Sequence, residues 1–243
     1  MDALFLTLLI AHIAAGTLSL IVAPAAMATK KGKRWHRRWG KLYFWGMFAV
    51  AVTAVAMSLI KLNLFLLLLA VFSFYLSFVG YRAIYQKRPG TPATRLDWSV
   101  TLGTLAASAG LVGWGGSVVA AGSTFGIVSA VFGAVGALMA AADIRRYLRP
   151  ATSDSKAWLL RHVRGFGASY IATVSAFSAV NLHFLPDVVQ WLWPSVIGTV
   201  MIRMAVTRIQ TGRPPRRANK RASEQPAQPR AWAKRPAERI ALP

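Results

Sequence analysis

Seven apolar blocks alternate with short polar or basic segments along most of the chain. The blocks run over residues 3–28, 43–60, 64–84, 98–120, 123–147, 158–182 and 188–206. Each is close to the roughly 20 residues that an α-helix needs to cross a hydrocarbon core about 30 Å thick. The pattern therefore predicts an all-α, polytopic bundle of seven transmembrane helices.

The first block is interpreted as a membrane-spanning helix and not as a signal peptide. Asp2 is the only charged residue before it, and the basic residues follow it. A signal peptide carries its positive charges in front of the apolar region. We therefore count this block as the first helix of the bundle.

The distribution of basic residues predicts an orientation. All but Lys61 of the 29 Lys and Arg residues fall in alternate connecting segments, at residues 30–41, 82–95, 145–164 and 203–239. The positive-inside rule assigns such segments to the cytoplasm. We expect the N-terminus outside and the C-terminus in the cytoplasm, with the protein in a cell membrane, the bacterial inner membrane. The net charge of +22 is then a consequence of topology, and no nucleic-acid partner is expected.

The composition divides the chain into two parts. Residues 1–210 form the predicted transmembrane domain. Residues 211–243 are rich in Pro, Arg, Ala and Gln and hold too little apolar surface to fold, so they predict a disordered basic tail. Such a tail is expected to contact the anionic head groups of membrane lipids. The pattern leaves the oligomeric state open.

Two helices carry faces of small residues, which let helix backbones approach closely in lipid. The fourth and fifth helices are therefore expected to form a tightly packed hairpin. The small residues are Gly103, Ala106, Gly110, Gly113 and Ser117 on the fourth helix, and Gly122, Gly126, Ser129, Gly133, Gly136 and Ala140 on the fifth.

The histidines are the side chains best suited to chemistry, because the chain has no cysteine. His12 lies within the first helix, where ionisable side chains are rare and default to a functional hypothesis. His36 and His162 lie at the cytoplasmic entries to the second and sixth helices. Ser169 and Thr173 share a helical face with His162. These five residues form the predicted ligand-binding set, and a role for His183, at the outer end of the sixth helix, stays open.

His36 and His162 share the inner boundary of the predicted bundle. A b-type haem needs two axial ligands from facing helices, so these two residues are the candidate haem ligands. No metal-ion site is expected, since carboxylates near the histidines are scarce. The sequence also shows no phosphate loop, no Ser-His-Asp arrangement and no paired carboxylates, which argues against an enzyme.

Three functions remain open at this stage. The first is a binding or redox membrane protein with an inward-facing histidine site for haem, quinone or a lipid-like ligand. The second is a transporter or permease for a small solute, in which His12 and the polar stripe of the sixth helix line a path. The third is a non-catalytic membrane scaffold.

Two stretches of the chain carry a family resemblance. One contains His12 and Gly16, then Lys31-Gly32, then His36-Arg37-Arg38-Trp39-Gly40-Lys41-Leu42-Tyr43; the other runs from residue 158 to 181 and contains His162 and Ser169-Tyr170-Ile171. Together they resemble a family of bacterial predicted membrane proteins, domain-of-unknown-function family 2306. The resemblance implies a helical membrane protein over most of residues 4–205. It brings no activity with it.

Overall fold

The computed structural model describes residues 2–149 and 156–212, and within them the chain forms seven α-helices and no strand. The helices are α1 Asp2–Ala28, α2 Arg34–Ile60, α3 Leu64–Arg82, α4 Arg95–Ala120, α5 Phe125–Leu148, α6 Ala157–Asn181 and α7 Asp187–Thr211, with a 3-10 turn at Ala83–Tyr85. The predicted all-α bundle of seven helices is thereby confirmed. The predicted basic tail lies outside the described residues, apart from its first two positions.

Six of these helices are long and apolar enough to cross a membrane: α1, α2, α3 with its 3-10 turn, α4, α5 and α7. The exception, α6, has the length but carries more polar side chains. Its Ser169, Ser175 and Ser178 are nearly inaccessible to solvent. These three serines thus face the interior of the bundle, where other helices cover them.

The third helix is the centre of the bundle and packs against α2, α4, α5 and α6. In addition, α1 pairs with α2, and α7 pairs with α6. The helices alternate in direction, so one end of the bundle holds residues 30–41 and 82–95 together with the start of α6. We call this the basic end. The candidate site is built there, on α1, α2, α3 and α6.

The second helix begins at Arg34, nine residues before the apolar block that predicted it. The basic stretch continues the helix outward and contains no proline that would end it. Trp35 and Trp39, one turn apart, stack with ring centroids 6.0 Å apart. His36 therefore stands on the same continuous helix as Tyr43, two turns away.

The predicted close packing of α4 and α5 is confirmed, with a correction to the face that α4 uses. A Cβ atom at Gly133 would lie 2.7 Å from the Ser108 carbonyl oxygen, and one at Gly115 would lie 2.6 Å from the Gly126 carbonyl oxygen. Gly103 and Gly113, which were predicted to face α5, have open space beside them. Small residues occur on all sides of α4, so their spacing alone does not identify the face that packs against α5.

Candidate functional site

The site is organised by a close crossing of α3 and α6. A Cβ atom added to Gly165 would lie 2.7 Å from the Cα atom of Gly80, and one added to Gly80 would lie 2.7 Å from the backbone nitrogen of Phe166. Only glycine fits at these two positions, because the two backbones touch. The crossing brings the carbonyl group of Gly80 to the side chain of His162, one turn before Gly165.

Both histidines of the basic end are held by backbone carbonyl groups of other helices. The Nδ1 atom of His162 donates to the Gly80 oxygen at 3.0 Å, and Nδ1 of His36 donates to the Ala26 oxygen at 2.9 Å. A carbonyl oxygen only accepts, so each Nδ1 carries the hydrogen. In the neutral ring Nε2 is then an acceptor, and both Nε2 atoms remain available to a ligand.

The two imidazole rings lie side by side. Their centroids are 6.2 Å apart and their planes meet at 67°. Within the described residues no Cα atom of α2 comes within 8 Å of one of α6, so the helices that carry the two rings meet only through side chains. The structure thus places His36 and His162, the two candidate haem ligands, next to each other.

A second polar level lies two helical turns deeper, about 10 Å along the helix axes. The Tyr43 hydroxyl forms hydrogen bonds with Ser169 Oγ at 2.8 Å and with Thr173 Oγ1 at 3.2 Å, and Ser169 Oγ is 2.5 Å from Ser77 Oγ. Ser77 and Ser169 are fully buried, and Tyr43 is 2% exposed. The hydroxyl groups of α2, α3 and α6 thereby satisfy one another in the interior.

An aromatic ring connects the two levels. Phe166 lies with its ring centroid 5.1 Å from that of His162 and 5.7 Å from that of Tyr43. Val22 and Ala23 of α1 close the same space from the other side. The site is therefore a column with a histidine pair at the basic end, an aromatic layer beneath it, and a hydroxyl cluster at the bottom.

The structure does not bring His12 into this column. The Nδ1 atom of His12 contacts Thr53 Oγ1 at 2.9 Å and the Val50 oxygen at 3.2 Å, on the seam between α1 and α2. Thr53 is 17 residues from His36 on the same helix, or about 25 Å along the axis. His183 is exposed in the turn after α6, at the end opposite the histidine pair.

A second polar cluster ties α3, α5 and α6 together near the basic end. Arg161 of α6 binds both carboxylate oxygens of Asp143, at 3.0 and 2.8 Å, and also donates to Gln86 at 2.5 Å. The Tyr75 hydroxyl donates to the same carboxylate at 2.8 Å. Arg146, three residues after Asp143 on α5, lies further away, with its Nε atom 3.6 Å from the carboxylate.

Asp97, a second buried carboxylate in the described residues, is also bound by an arginine and by hydrogen-bond donors. Arg82 binds both oxygens of Asp97 at 2.7 Å, and Asp97 completes a capping box with Thr94 at the start of α4. Neither Asp97 nor Asp143 is left free to act as a general acid or base. In residues 2–149 and 156–212, no three His, Asp or Glu side chains form a group that could hold a metal ion.

Sequence reasoning missed Tyr43 and Ser77 as parts of the site. Tyr43 is the first residue of the second apolar block and lies seven residues after His36. His162 and Ser169 are separated by the same seven residues on α6. Two pairs at this spacing on two helices predict two matched levels. Ser77 has no comparable signal, because no histidine lies seven residues before or after it on the third block.

The fold and the site together define a multi-pass helical membrane protein with a polar column inside the bundle. Residues 9–108 match the family model described as "Predicted membrane protein (DUF2306)". The resemblance to this family is thereby confirmed over α1, α2, α3 and the first half of α4, a stretch that contains His12, His36 and Tyr43. His162 and Ser169 lie beyond the matched residues. No curated protein and no solved structure matches the chain.

Proposed function

We propose that this protein is a binding or redox protein of the membrane and that the Nε2 atoms of His36 and His162 hold its ligand. The observation that carries the proposal is the way both rings are fixed. Each Nδ1 atom is hydrogen-bonded to a backbone carbonyl group of another helix. Histidines that ligate metals are oriented by this kind of bond, which fixes the tautomer and aims the other nitrogen.

The shared chemistry of the ligand follows from that tautomer. With Nδ1 carrying a hydrogen, the Nε2 atom of each ring in its neutral form offers a lone pair to an electron-poor centre, which is either the iron of a haem or a hydroxyl hydrogen of a quinol head group. The proposal is for a planar, apolar ligand of one of these two kinds. The distance between α2 and α6 supports this proposal. Their backbones do not touch in the described residues, so only side chains lie between the two helices.

The surroundings favour a ligand that enters from the membrane or from the basic end. Phe166 provides an aromatic surface beneath the histidines. Phe166 and Trp39 both pack against the apolar cluster that contains Tyr43 and Met47. The orientation expected from the basic residues places this end at the cytoplasmic face of a bacterial inner membrane. We therefore propose an inward-facing site.

Asparagine variants provide a direct test. The side-chain amide of asparagine donates from nearly the position of Nδ1, so His36→Asn and His162→Asn keep the bond to the carbonyl group and remove Nε2. The protein is expressed with haem precursor and iron, purified in detergent, and examined by reduced-minus-oxidised absorption spectroscopy. In parallel, a soluble quinol is titrated while tryptophan fluorescence is measured.

The expected result is a haem spectrum or a saturable quinol-dependent quench in the wild type that both Asn variants lose. His183→Asn is the matched control and should behave as the wild type, because His183 is exposed at the opposite end. Absence of both signals in the wild type would show that the histidine pair is not a ligand site. Retention of either signal in a variant that carries both His36→Asn and His162→Asn would show the same.

A further inference from the structure

A groove of about 440 Å³ lies between α2, α3 and α4, and none of the side chains that line it belongs to the histidine column. Both α2 and α4 pack on α3, but no described Cα atoms of α2 and α4 lie within 8 Å of each other. The third helix therefore forms the floor of the groove. Phe48 and Val52 line one wall, and Gly103 lies on the other.

The lining of the groove suits hydrocarbon. Its two hydroxyl groups are committed to the backbone of their own helix, with Ser99 Oγ 3.0 Å from the Arg95 oxygen and Thr104 Oγ1 2.8 Å from the Val100 oxygen. A polar ligand would find no free partner here. At Gly103 the missing side chain leaves open space, since an added Cβ atom would meet nothing within 4 Å.

Two basic side chains stand above the groove at the basic end. Lys41 is seven residues before Phe48 on α2, about 10 Å along the helix axis, and Arg95 is four residues before Ser99 on α4, about 6 Å along the axis. Both are exposed, and neither forms an ion pair with a carboxylate in the described ranges. Their charges fall where the head-group layer, about 5–8 Å thick on each side of the hydrocarbon core, begins.

We propose that this groove binds an acyl chain of an anionic phospholipid whose phosphate group lies between Lys41 and Arg95. The apolar groove and the two basic side chains together define the class of ligand. The groove accepts only hydrocarbon, and the two unpaired cations above it accept an anion. An anionic phospholipid carries both groups at the required separation. The site is separate from the histidine pair and does not depend on its function.

The acyl-chain part is tested by filling the groove. The protein and its Gly103→Leu variant are purified in mild detergent with an equimolar mixture of phosphatidylglycerol and phosphatidylcholine, and retained lipids are identified by native mass spectrometry. Gly113→Leu is the matched control, because Gly113 is also an exposed glycine of α4 with nothing within 4 Å of an added Cβ atom. The wild type and the control should retain phosphatidylglycerol, and Gly103→Leu should lose it.

The head-group part is tested with Lys41→Gln and Arg95→Gln. Each should lower phosphatidylglycerol retention about fivefold, the factor that corresponds to about 1 kcal/mol per basic residue near an anionic surface. Arg88→Gln, a basic-end variant outside the groove, should leave retention unchanged. Equal retention in Gly103→Leu and Gly113→Leu, or equal retention of the two lipids by the wild type, would overturn the proposal. So would loss of a dimer in Gly103→Leu alone, which would identify the groove as an interface between two copies of the chain.

Discussion

Gly80 of α3 and Gly165 of α6 touch through their backbones, and this contact places the Gly80 carbonyl group against the ring of His162. The packing of two helices and the orientation of a candidate ligand residue thus depend on the same pair of glycines. A side chain at either position would separate the helices and withdraw the acceptor from His162.

We predict that Gly165→Ala destabilises the protein by about 1–3 kcal/mol, the usual cost of overpacking a close contact. The thermal unfolding midpoint of the protein in detergent measures it. Gly40→Ala is the control, because an added Cβ atom at Gly40 meets nothing within 4 Å. That variant should be neutral or slightly stabilising, since alanine favours a helix over glycine. Equal midpoints for the two variants would contradict the close crossing.

The ion pair between Asp143 and Arg161 is predicted to be a polar contact on which the stability of the bundle depends strongly. Both side chains are nearly buried, at 10% and 11% exposure. Asp143→Asn keeps the shape but leaves Arg161 without its counter-ion, which costs about 3–5 kcal/mol for a buried pair. The double variant Asp143→Asn with Arg161→Leu should recover part of the loss, because no uncompensated charge remains.

Unfolding of these variants in detergent tests the prediction against Asp187→Asn. Asp187 is exposed at the start of α7, where its charge complements the helix dipole for at most about 1 kcal/mol. An Asp143→Asn variant as stable as Asp187→Asn would show that the buried pair does not stabilise the fold.

The hydroxyl cluster beneath the histidines makes a smaller contribution. Tyr43→Phe removes the group that joins α2 to Ser169 and Thr173, and should cost about 1 kcal/mol, the typical net value of one hydrogen bond. Tyr170→Phe is the control, since Tyr170 packs against the apolar cluster that contains Tyr43 but its hydroxyl makes no hydrogen bond to the described residues. Differential scanning measurements that rank the two variants equally would argue that the cluster does not bridge the helices.

The architecture could be predicted from the sequence because membrane spans follow from length and apolar composition alone. The histidine pair could be nominated because His36 and His162 fall at the same end of two blocks. The geometry of the pair could not be predicted, because it depends on the contact between Gly80 and Gly165, which lie on helices far apart in the chain. Glycines occur throughout this sequence, and the ones that touch are selected by the tertiary packing.

The polar contacts were harder still to foresee. Arg161 looked like one more cytoplasmic charge in the count that gave the topology, yet it binds Asp143 and Gln86 inside the bundle. His12 looked like a third member of the site because it lies inside an apolar block. Its partner on the neighbouring helix is Thr53, and depth along α2, which hydropathy does not resolve, separates it from the pair.

The orientation of the bundle yields the last prediction, and the absence of cysteine makes the test clean. Single cysteines are placed at Lys33 and Arg149, exposed at the basic end, and at Ser123 and His183, exposed at the opposite end. In a bacterial host, a membrane-impermeant maleimide should label Ser123→Cys and His183→Cys in intact spheroplasts. Lys33→Cys and Arg149→Cys should react only after the membrane is permeabilised, because segments rich in Lys and Arg are retained in the cytoplasm.

The same experiment tests whether α6 crosses the membrane despite its polar composition. Arg149 follows α5 and His183 follows α6, so only a spanning α6 places them on opposite sides. Labelling of both from the same side would leave α6 outside the membrane and would contradict the contact between Ser169 of α6 and Ser77 of α3. A reversed pattern at all four positions would keep the bundle and invert it, so that the histidine pair would face the exterior and the proposed inward-facing site would be wrong.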